Sequence, residues 1–514
     1  MKKRGLALLL ITALTCTSLI GCGKKTEENR GSEGTGGQVS EESAKTNTGL
    51  SEKVETLKVY MPLVGAGSTT DLKKVEAAIN EYIEPLIHAN MDLTYIPYSQ
   101  WEDQMNMVVA SGEQVDLMCT VREISGYYKN GALTPLTGLL ETYGQGIGEY
   151  VQDIYLDSCT FGGEIYGVPT IRDMAKQQVF EYSVDVAEKY GLEMKEEMTF
   201  DELEEQFMKL KEQAPEIPCV LMRNSVRSFD SWCGWDGIGD NYGVVMMDQK
   251  DVKLVNLFES QVYTDLLVRM ERWFHAGIIN QEAPTADIQW ADIVPTGNIL
   301  GRFARSKPGY EQQETVKYGV DLKTVKLMEP IVDSAQAQFM AWVIPTTGKY
   351  PEKAMALMNL FYTDEKVINL MSYGIEGEHY VVTDEEHGII NYPEGVDSSN
   401  ASFSPGMNFG VGNELLGYIW EGNDADIWEQ LEEFNNTAKA SPALGFAFDN
   451  SSVTNEISAC NNVLAKYAIG LEIGCLEVDK ILPEFQKALK DAGIDKIIAE
   501  KQAQIDEWYQ ANQK

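Results

Sequence analysis

Leu57-Lys58-Val59-Tyr60-Met61-Pro62 opens the stretch that decides the fold, which runs on to Asp116-Leu117-Met118-Cys119-Thr120. Residues 57–61 read as a strand that Pro62 ends. Residues 71–87 then place Leu72, Val75, Ile79 and Ile83 at helical spacing. Residues 91–96 alternate as a second strand, and 101–111 form a helix with Trp101, Met105, Val108 and Val109 along one side. Residues 116–120 make a third strand. Strand alternating with helix predicts an α/β class, a parallel sheet with helices on both faces. Ligands of such sheets lie beyond the carboxyl ends of the strands, here residues 62–70, 97–101 and 120–128.

Working outward, the N-terminus carries a different signal. Lys2, Lys3 and Arg4 precede an apolar run from Leu6 to Leu14, which is too short for a membrane span of about 20 residues. A basic start, a short apolar core and small residues make a secretory signal peptide, expected over 1–21. Leu19-Ile20-Gly21-Cys22 resembles the bacterial lipobox. That resemblance implies that Cys22 is lipidated and becomes the mature N-terminus, a membrane anchor. Residues 22–54 are Gly, Ser, Thr, Glu, Lys and Asn with little that is apolar, so a flexible linker is expected there.

Composition bounds the rest. Hydrophobic residues are 44% of the chain, enough for a globular body, and roughly 460 residues exceed one ordinary core and call for two lobes. The formal charge of −37 disfavours nucleic acid and anionic headgroups as partners, and disfavours anionic ligands by long-range steering, although a local site can override the average. No Cys-x-x-Cys pair occurs among Cys119, Cys159, Cys219, Cys233, Cys460 and Cys475, and His88, His275, His379 and His387 are the only histidines. Neither metal nor cofactor is expected from that set. Cys219–Cys233 and Cys460–Cys475 disulfides stay open beside free thiols. Asp236, Asp240 and Asn241, or Asn423, Asp424 and Asp426, could ligate calcium, but neither set matches an EF-hand loop.

Several segments sharpen the reading. Gly162-Gly163-Glu164-Ile165-Tyr166-Gly167-Val168-Pro169 resembles the crossover by which sugar-binding members of the ABC-transporter solute-binding proteins pass from first to second lobe. Tyr373-Gly374-Ile375-Glu376-Gly377-Glu378-His379-Tyr380, after Pro351-Glu352-Lys353-Ala354, is similar to another segment of these proteins. Ser441-Pro442-Ala443-Leu444-Gly445-Phe446-Ala447-Phe448-Asp449, followed by Ala492-Gly493-Ile494-Asp495 and Trp508, resembles the C-terminal region of the LipO-like lipoproteins.

The resemblance implies a periplasmic-binding-protein-like clam-shell of two α/β lobes joined by hinge strands, with extra C-terminal helices. The expected lobes are 55–168 plus 286–337, and 169–285 plus 338–514, with crossings near 166–171, 281–290 and 338–345. It further implies a monomeric receptor on the outer face of a Gram-positive cytoplasmic membrane, handing a carbohydrate, expected to be an oligosaccharide, to ABC permease subunits. No phosphate loop is present: after Gly162-x₄-Gly167 comes Val168 where lysine would be needed.

Sugars offer C–H faces to aromatic rings and hydroxyls to carboxylates, amides and arginine. Trp232 and Trp235, on a glycine-bearing loop, and Trp342, in a presumed hinge strand, are the first ligand candidates, with core packing as the competing role. Tyr166 and Arg172 flank the first crossing, and Trp290 the second. Trp101 follows a strand end but opens an apolar helix face. Thr120 and Arg122 end the third strand and could bond a hydroxyl or cap the next helix. Glu376 and His379 belong to a segment whose glycines also suit a tight turn. Trp420 and Trp428 are expected on a helix, in the core.

Two alternatives remain open on sequence. A peptide receptor of the same fold would suit the acidic field. An exported glycoside hydrolase would need a carboxylate pair about 5 Å or 6.5–9.5 Å apart, and no Gly-x-Ser-x-Gly elbow or His-Glu-x-x-His motif points to a hydrolase. No catalytic residue is therefore assigned. At the C-terminus, a helix from 482 to Gly493 and a last helix capped by Asp495, with Ile498, Ile505 and Tyr509 in one stripe, read as structural.

Overall fold

The computed structural model describes residues 49–63, 67–122, 124–230 and 232–512, all within one compact unit, Thr46–Lys514. The signal peptide, Cys22 and most of the 22–54 linker lie outside the described residues. No described helix is long and apolar enough to cross a membrane.

The expected alternation is present: β1 (Glu55–Leu63), α1 (Leu72–Ile87), β2 (Ala89–Pro97), α2 (Tyr98–Ser111), β3 (Leu117–Val121) and α3 (Ile124–Lys129). β1 pairs in parallel with β2 from Glu55↔Ala89 to Leu63↔Pro97, and with β3 at Val59↔Leu117 and Tyr60↔Met118. Val75, Ile79, Ile83 and Ile87 form one buried stripe on α1, packed with Leu57, Val59 and Met61 of β1. β1 runs through Pro62 rather than ending there. Its pairing with β3 has already stopped by then, so no ladder bond on that side needs the missing N–H.

The chain then leaves the first sheet through β4 (Val168–Pro169) and enters a second, antiparallel sheet. That sheet contains β5 (Gln177–Ser183), β6 (Gly301–Ser306) and β7 (Leu322–Lys326) in the order β6-β5-β7. β6 comes so close to β5 that a Cβ on Gly301 would sit 2.2 Å from the Glu181 carbonyl oxygen, so only glycine fits. Helices α4 (Phe200–Gln213) and α5 (Gln261–His275) bury Leu203, Phe207, Leu267 and Trp273 in the core beside it.

β8 (Met340–Val343) returns to the first sheet, antiparallel to β3 at Met340↔Val121 and to β4 at Ala341↔Pro169. The first sheet therefore has the order β2-β1-β3-β8-β4. Helices α6 (Pro351–Thr363) and α7 (Glu365–Tyr373) pack in the core of this sheet, α8 (Ile427–Thr437) follows, and α9 (Thr454–Ile473), α10 (Val478–Ala492) and α11 (Ile494–Asn512) extend the core of the second.

These pairings correct the expected lobe segments. The strands of 286–337 sit on β5, not on the first sheet, while β8, α6 and α7 of 338–514 belong with the first. The chain does not cross at 281–290. Trp290 instead closes a cluster with Leu221, Ile299 and Leu322 beside the second sheet. The segments that pass between sheets lie side by side: Lys176 bridges Ile331, and Ile331–Val332 pairs in parallel with Lys439–Ala440. Sequence misses this because the joined residues are far apart in the chain and none sits in a long periodic element.

Smaller differences have local reasons. α10 starts at Val478 and accommodates Pro483, since Val478, Leu482, Phe485 and Leu489 make one continuous buried stripe. Trp420 lies in a two-residue strand, stacked 4.4 Å from Tyr392, and is only half-buried. Trp428 is on α8 but also half-buried, its Nε1 donating to the Gly417 carbonyl at 2.7 Å. All six described cysteines are free thiols, so neither disulfide forms. Burial raises the thiol pKa of Cys219 and Cys159 to about 12.

Candidate functional site

The carboxyl edge of the first sheet gathers polar chemistry from five chain segments. At the end of β3, Arg122 takes a left-handed conformation, φ 62°, which a bulky residue adopts only when its surroundings hold it there. Its N–H donates to the Phe339 carbonyl at 3.1 Å. Because β8 is antiparallel to β3, its N-terminal end lies at this edge and brings Phe339 beside Arg122. The Arg122 guanidinium lies 5.0 Å from the Phe339 ring centroid and that of Arg172 4.8 Å from the same ring.

Arg172 arrives from β4, which leaves the sheet at the same edge; the Thr170 N–H donates to the Met340 carbonyl at 3.1 Å. Arg172 is 3% exposed. Its Nη1 donates to Asp173 Oδ1 at 3.0 Å and its Nη2 to the Gln336 carbonyl at 2.9 Å. Asp173 also pairs with Lys307 at 2.9 Å, the residue that follows β6. Burial works against the charged form of Asp173, but Lys307 and Arg172 outweigh it and hold its carboxyl below the ordinary value. Burial likewise opposes the charge of Lys307, and Asp173 and Glu414 outweigh that to raise it.

Glu414 joins from the far end of the chain. Its N–H donates to the Ile171 carbonyl at 2.9 Å, and the Ile171 N–H donates to Gly412 at 2.7 Å. Burial pushes the Glu414 carboxyl up to about 7, with Lys307 and Arg172 pulling it down and Asp173 adding to the rise. Its Oε1 accepts from Asn408 Nδ2, while Oε2 has no partner. Arg172 Nε and Thr170 Oγ1 are also buried without partners. A pocket of about 590 Å³, open mouth included, adjoins this crossing and is lined by Glu149, Tyr150, Tyr155, Thr170, Glu432 and Asn436, among others.

Aromatic surface lies on the same lobe. Tyr128 of α3 stacks on Phe161 at 4.7 Å and tilts against Tyr166 at 4.8 Å, and all three are half-buried. Lys129 pairs with Asp449 at 2.6 Å, tying α3 to the 441–449 segment. Guanidinium donors, a free carboxylate oxygen, amides and aromatic rings can together hold hydroxyl-rich or charged small molecules. Among the described residues no cluster of three or more His, Cys, Asp or Glu is arranged to hold a metal. Asp236 bonds Ser334 and the Ile238 N–H, and Asn241 bonds Trp235, so the candidate calcium ligands of that loop are engaged by protein groups.

Of the residues singled out from sequence, Arg172 is at this edge, whereas Tyr166 precedes β4 and, by the register Val168↔Trp342 and Val343↔Met118, lies toward the opposite, amino end of the strands. Thr120 is near it, but its Oγ1 is buried and donates to Ala341 at 3.1 Å. Trp342 and Trp101 sit on opposite faces of the first sheet, both inside cores. Period two along β8 sends Met340 and Trp342 to one face and Ala341 and Val343 to the other, where Trp101 lies. Trp342 Nε1 donates to the Gly410 and Val411 carbonyls at 3.1 and 2.8 Å.

Trp232 and Trp235 are buried beneath their loop in the second core: Trp232 stacks on Phe200 at 5.9 Å, and Trp235 Nε1 donates to Asn241 at 3.1 Å. Trp290 is 4% exposed under the Arg302 guanidinium. Glu376 is exposed on its turn, and His379 is a staple: its Nδ1 accepts from Ile375 at 2.9 Å and its Nε2 donates to Asp71 at 3.3 Å. Sequence reasoning passed over Phe339, Asp173, Lys307, Asn408 and Glu414, since only the crossing of distant segments unites them. The aromatic residue just before β8 was the one available signal.

Residues 66–266 match the bacterial extracellular solute-binding proteins, and 442–510 match a domain of unknown function, DUF3502. A carbohydrate ABC transporter substrate-binding protein of Streptococcus pneumoniae is 25% identical over 441 residues, 85% of this chain and 88% of that protein. Lipoprotein LipO of Bacillus subtilis is 25% identical over 269 residues, 49% of this chain and 51% of that one. The crystal structure of the N-glycan transport solute-binding protein NgtS from S. pneumoniae superposes with TM-score 0.76 at 24% identity, covering 90% of this chain and 100% of NgtS. The score is 0.66 for the NgtS complex with Man1GlcNAc and 0.64 for that with Man5GlcNAc. The likeness establishes a periplasmic-binding-protein-like α/β fold. The match to the bacterial extracellular solute-binding proteins covers 66–266, and over the rest of the chain the likeness is one of fold.

Proposed function

We propose that this protein captures an oligosaccharide between two lobes, one built on each sheet, and delivers it to ABC permease subunits without altering it. The observation that carries this reading is the carboxyl edge of the first sheet, where Arg122, Arg172, Phe339, Asp173 and Glu414 meet on a solute-binding fold. The NgtS comparison supports it, since the TM-score falls for the glycan complexes, as it would if the relative closes on its ligand. The lobes would turn about the adjacent strands at Lys176, Ile331 and Lys439. Ligand then favours the closed state through contacts that the open state lacks. The Cys22 lipid would keep the monomeric receptor on the outer face of the cytoplasmic membrane.

The test is thermal unfolding against mono- and oligosaccharides and short peptides. At 100 times its dissociation constant a ligand stabilises the native state by about 2.7 kcal/mol. A shift with one glycan class, with the glycan recovered intact, bears out the reading. A shift with peptides alone replaces it with a peptide receptor, and a hydrolysed glycan replaces it with an enzyme.

A further inference from the structure

We propose that the site selects an acidic glycan, with a sugar carboxylate docking on Arg122. This rests on the carbohydrate reading above and deepens it. In a chain of net charge −37, an arginine without a carboxylate is out of the ordinary. Arg172, Arg223, Arg227, Arg269, Arg272 and Arg302 each hold a carboxylate oxygen within 3.0 Å. Among the described residues Arg122 has none; its residue is exposed and its guanidinium lies over the Phe339 ring, at the edge where ligands of this fold lie. Arg305, on β6 two residues before Lys307, is likewise exposed and unpaired.

Three further features point the same way. First, Arg122 is held at φ 62°, a strained conformation for such a residue that clusters at ligand clamps and switch regions. Second, local charge is positive. Arg172 and Lys307 both pair with Asp173, whose carboxyl is held below its ordinary value, burial raises the Glu414 carboxyl to about 7 so that it carries only part of a charge near neutrality, and Arg122 lies over the same Phe339 ring as Arg172. Third, Phe339 already carries two guanidinium groups over its ring, so it serves as a shelf that fixes their planes rather than as a free face for a neutral sugar. A planar fork with unused N–H donors matches a carboxylate in a two-bond geometry that a lone hydroxyl cannot fill.

Calorimetry on the whole protein at pH 7 with two matched pairs tests this: trigalacturonate against its carboxyl-reduced neutral trisaccharide, and sialyllactose against lactose. At least one acidic member should bind tenfold or more tightly than its neutral partner. Arg122→Asn, which suits the left-handed backbone, should cut that preference below threefold. Phe339→Leu, which removes the shelf and leaves the charge, should weaken the acidic member without abolishing it. Equal or tighter binding of both neutral members, or an acid preference untouched by Arg122→Asn, overturns the inference while leaving a carbohydrate receptor. Binding of neither acidic member overturns it too, and peptide binding in place of any sugar overturns the carbohydrate reading itself.

Discussion

Replacing Glu414 with Gln should make the protein more stable at pH 8 and leave it little changed at pH 4.5. Glu414 is 7% exposed, and burial raises its carboxyl from the ordinary 4.5 to about 7. A raised acid is protonated more readily in the folded chain than in the unfolded one. Its contribution to stability is therefore fully present below pH 4.5 and is lost as pH rises through 7. A rise of about 2.5 units at 1.36 kcal/mol each makes that loss about 3 kcal/mol. Gln retains the carbonyl that accepts from Asn408 Nδ2 and has no proton to lose. Unfolding entropy near 2.1 cal/mol/K per residue gives about 1 kcal/mol/K for a unit of roughly 470 residues, so the expected relative gain in Tm is about 3 °C. Calorimetric Tm of both proteins at pH 4.5, 6, 7 and 8 reads it directly, because every other titrating group is shared. Parallel Tm curves would refute the assignment of a near-neutral proton to Glu414.

Three further perturbations follow from single contacts. Arg227→Met strands Glu472, which is fully buried and accepts from Tyr263 OH at 3.0 Å, and should cost about 3–5 kcal/mol in denaturant unfolding; a loss under about 1 kcal/mol would show the carboxylate is rehydrated. Trp342→Phe removes the indole donor from the Gly410 and Val411 carbonyls and should cost about 1–3 kcal/mol, measured the same way. Gly412→Ala puts a Cβ 2.1 Å from the Phe361 carbonyl oxygen, a backbone atom that cannot swing aside, and should lower Tm by at least as much as Trp342→Phe.

The first sheet was legible because each element carries its own period. Val75, Ile79 and Ile83 announce α1 whatever it packs on, and β1 to β3 are joined by single helices. The second sheet was not legible, since Gly301↔Tyr182 and Leu322↔Ser183 join residues more than a hundred positions apart. The tryptophans misled for a related reason. A loop aromatic looks available until a distant segment covers it: Trp232 meets Phe200 of α4 at 5.9 Å and Phe303 of β6 at 5.6 Å. Arg122 was visible as a residue at a strand end, but neither its positive φ nor its missing carboxylate can be read before the fold is known. The His379 segment, specific as a signature, stabilises a turn: Gly374, at φ 85°, has no Cβ, which would sit 2.6 Å from the His379 Nδ1 that accepts from the Ile375 N–H.

Magnitudes also decide where the proposed closure can pivot. Lys176 and Asp333 form an ion pair whose side chains are 8% and 6% exposed, and it stands on the strands that connect the two sheets. Separating a buried pair of this kind costs about 3–5 kcal/mol, so the motion must carry both partners together. Lys129 and Asp449 are 33% and 37% exposed, and an exposed pair contributes about 1 kcal/mol or less, so this contact can open and shut with the lobes. Lys129→Ala should therefore leave unfolding stability within about 1 kcal/mol of the parent and raise the radius of gyration of the ligand-free protein in small-angle scattering. Lys176→Met should do the reverse, lowering stability by about 3–5 kcal/mol without selectively opening the folded form. If Lys129→Ala left the scattering unchanged while Lys176→Met expanded a protein of undiminished stability, the pivot would lie at α3 and the 441–449 segment, not at the adjacent crossing strands.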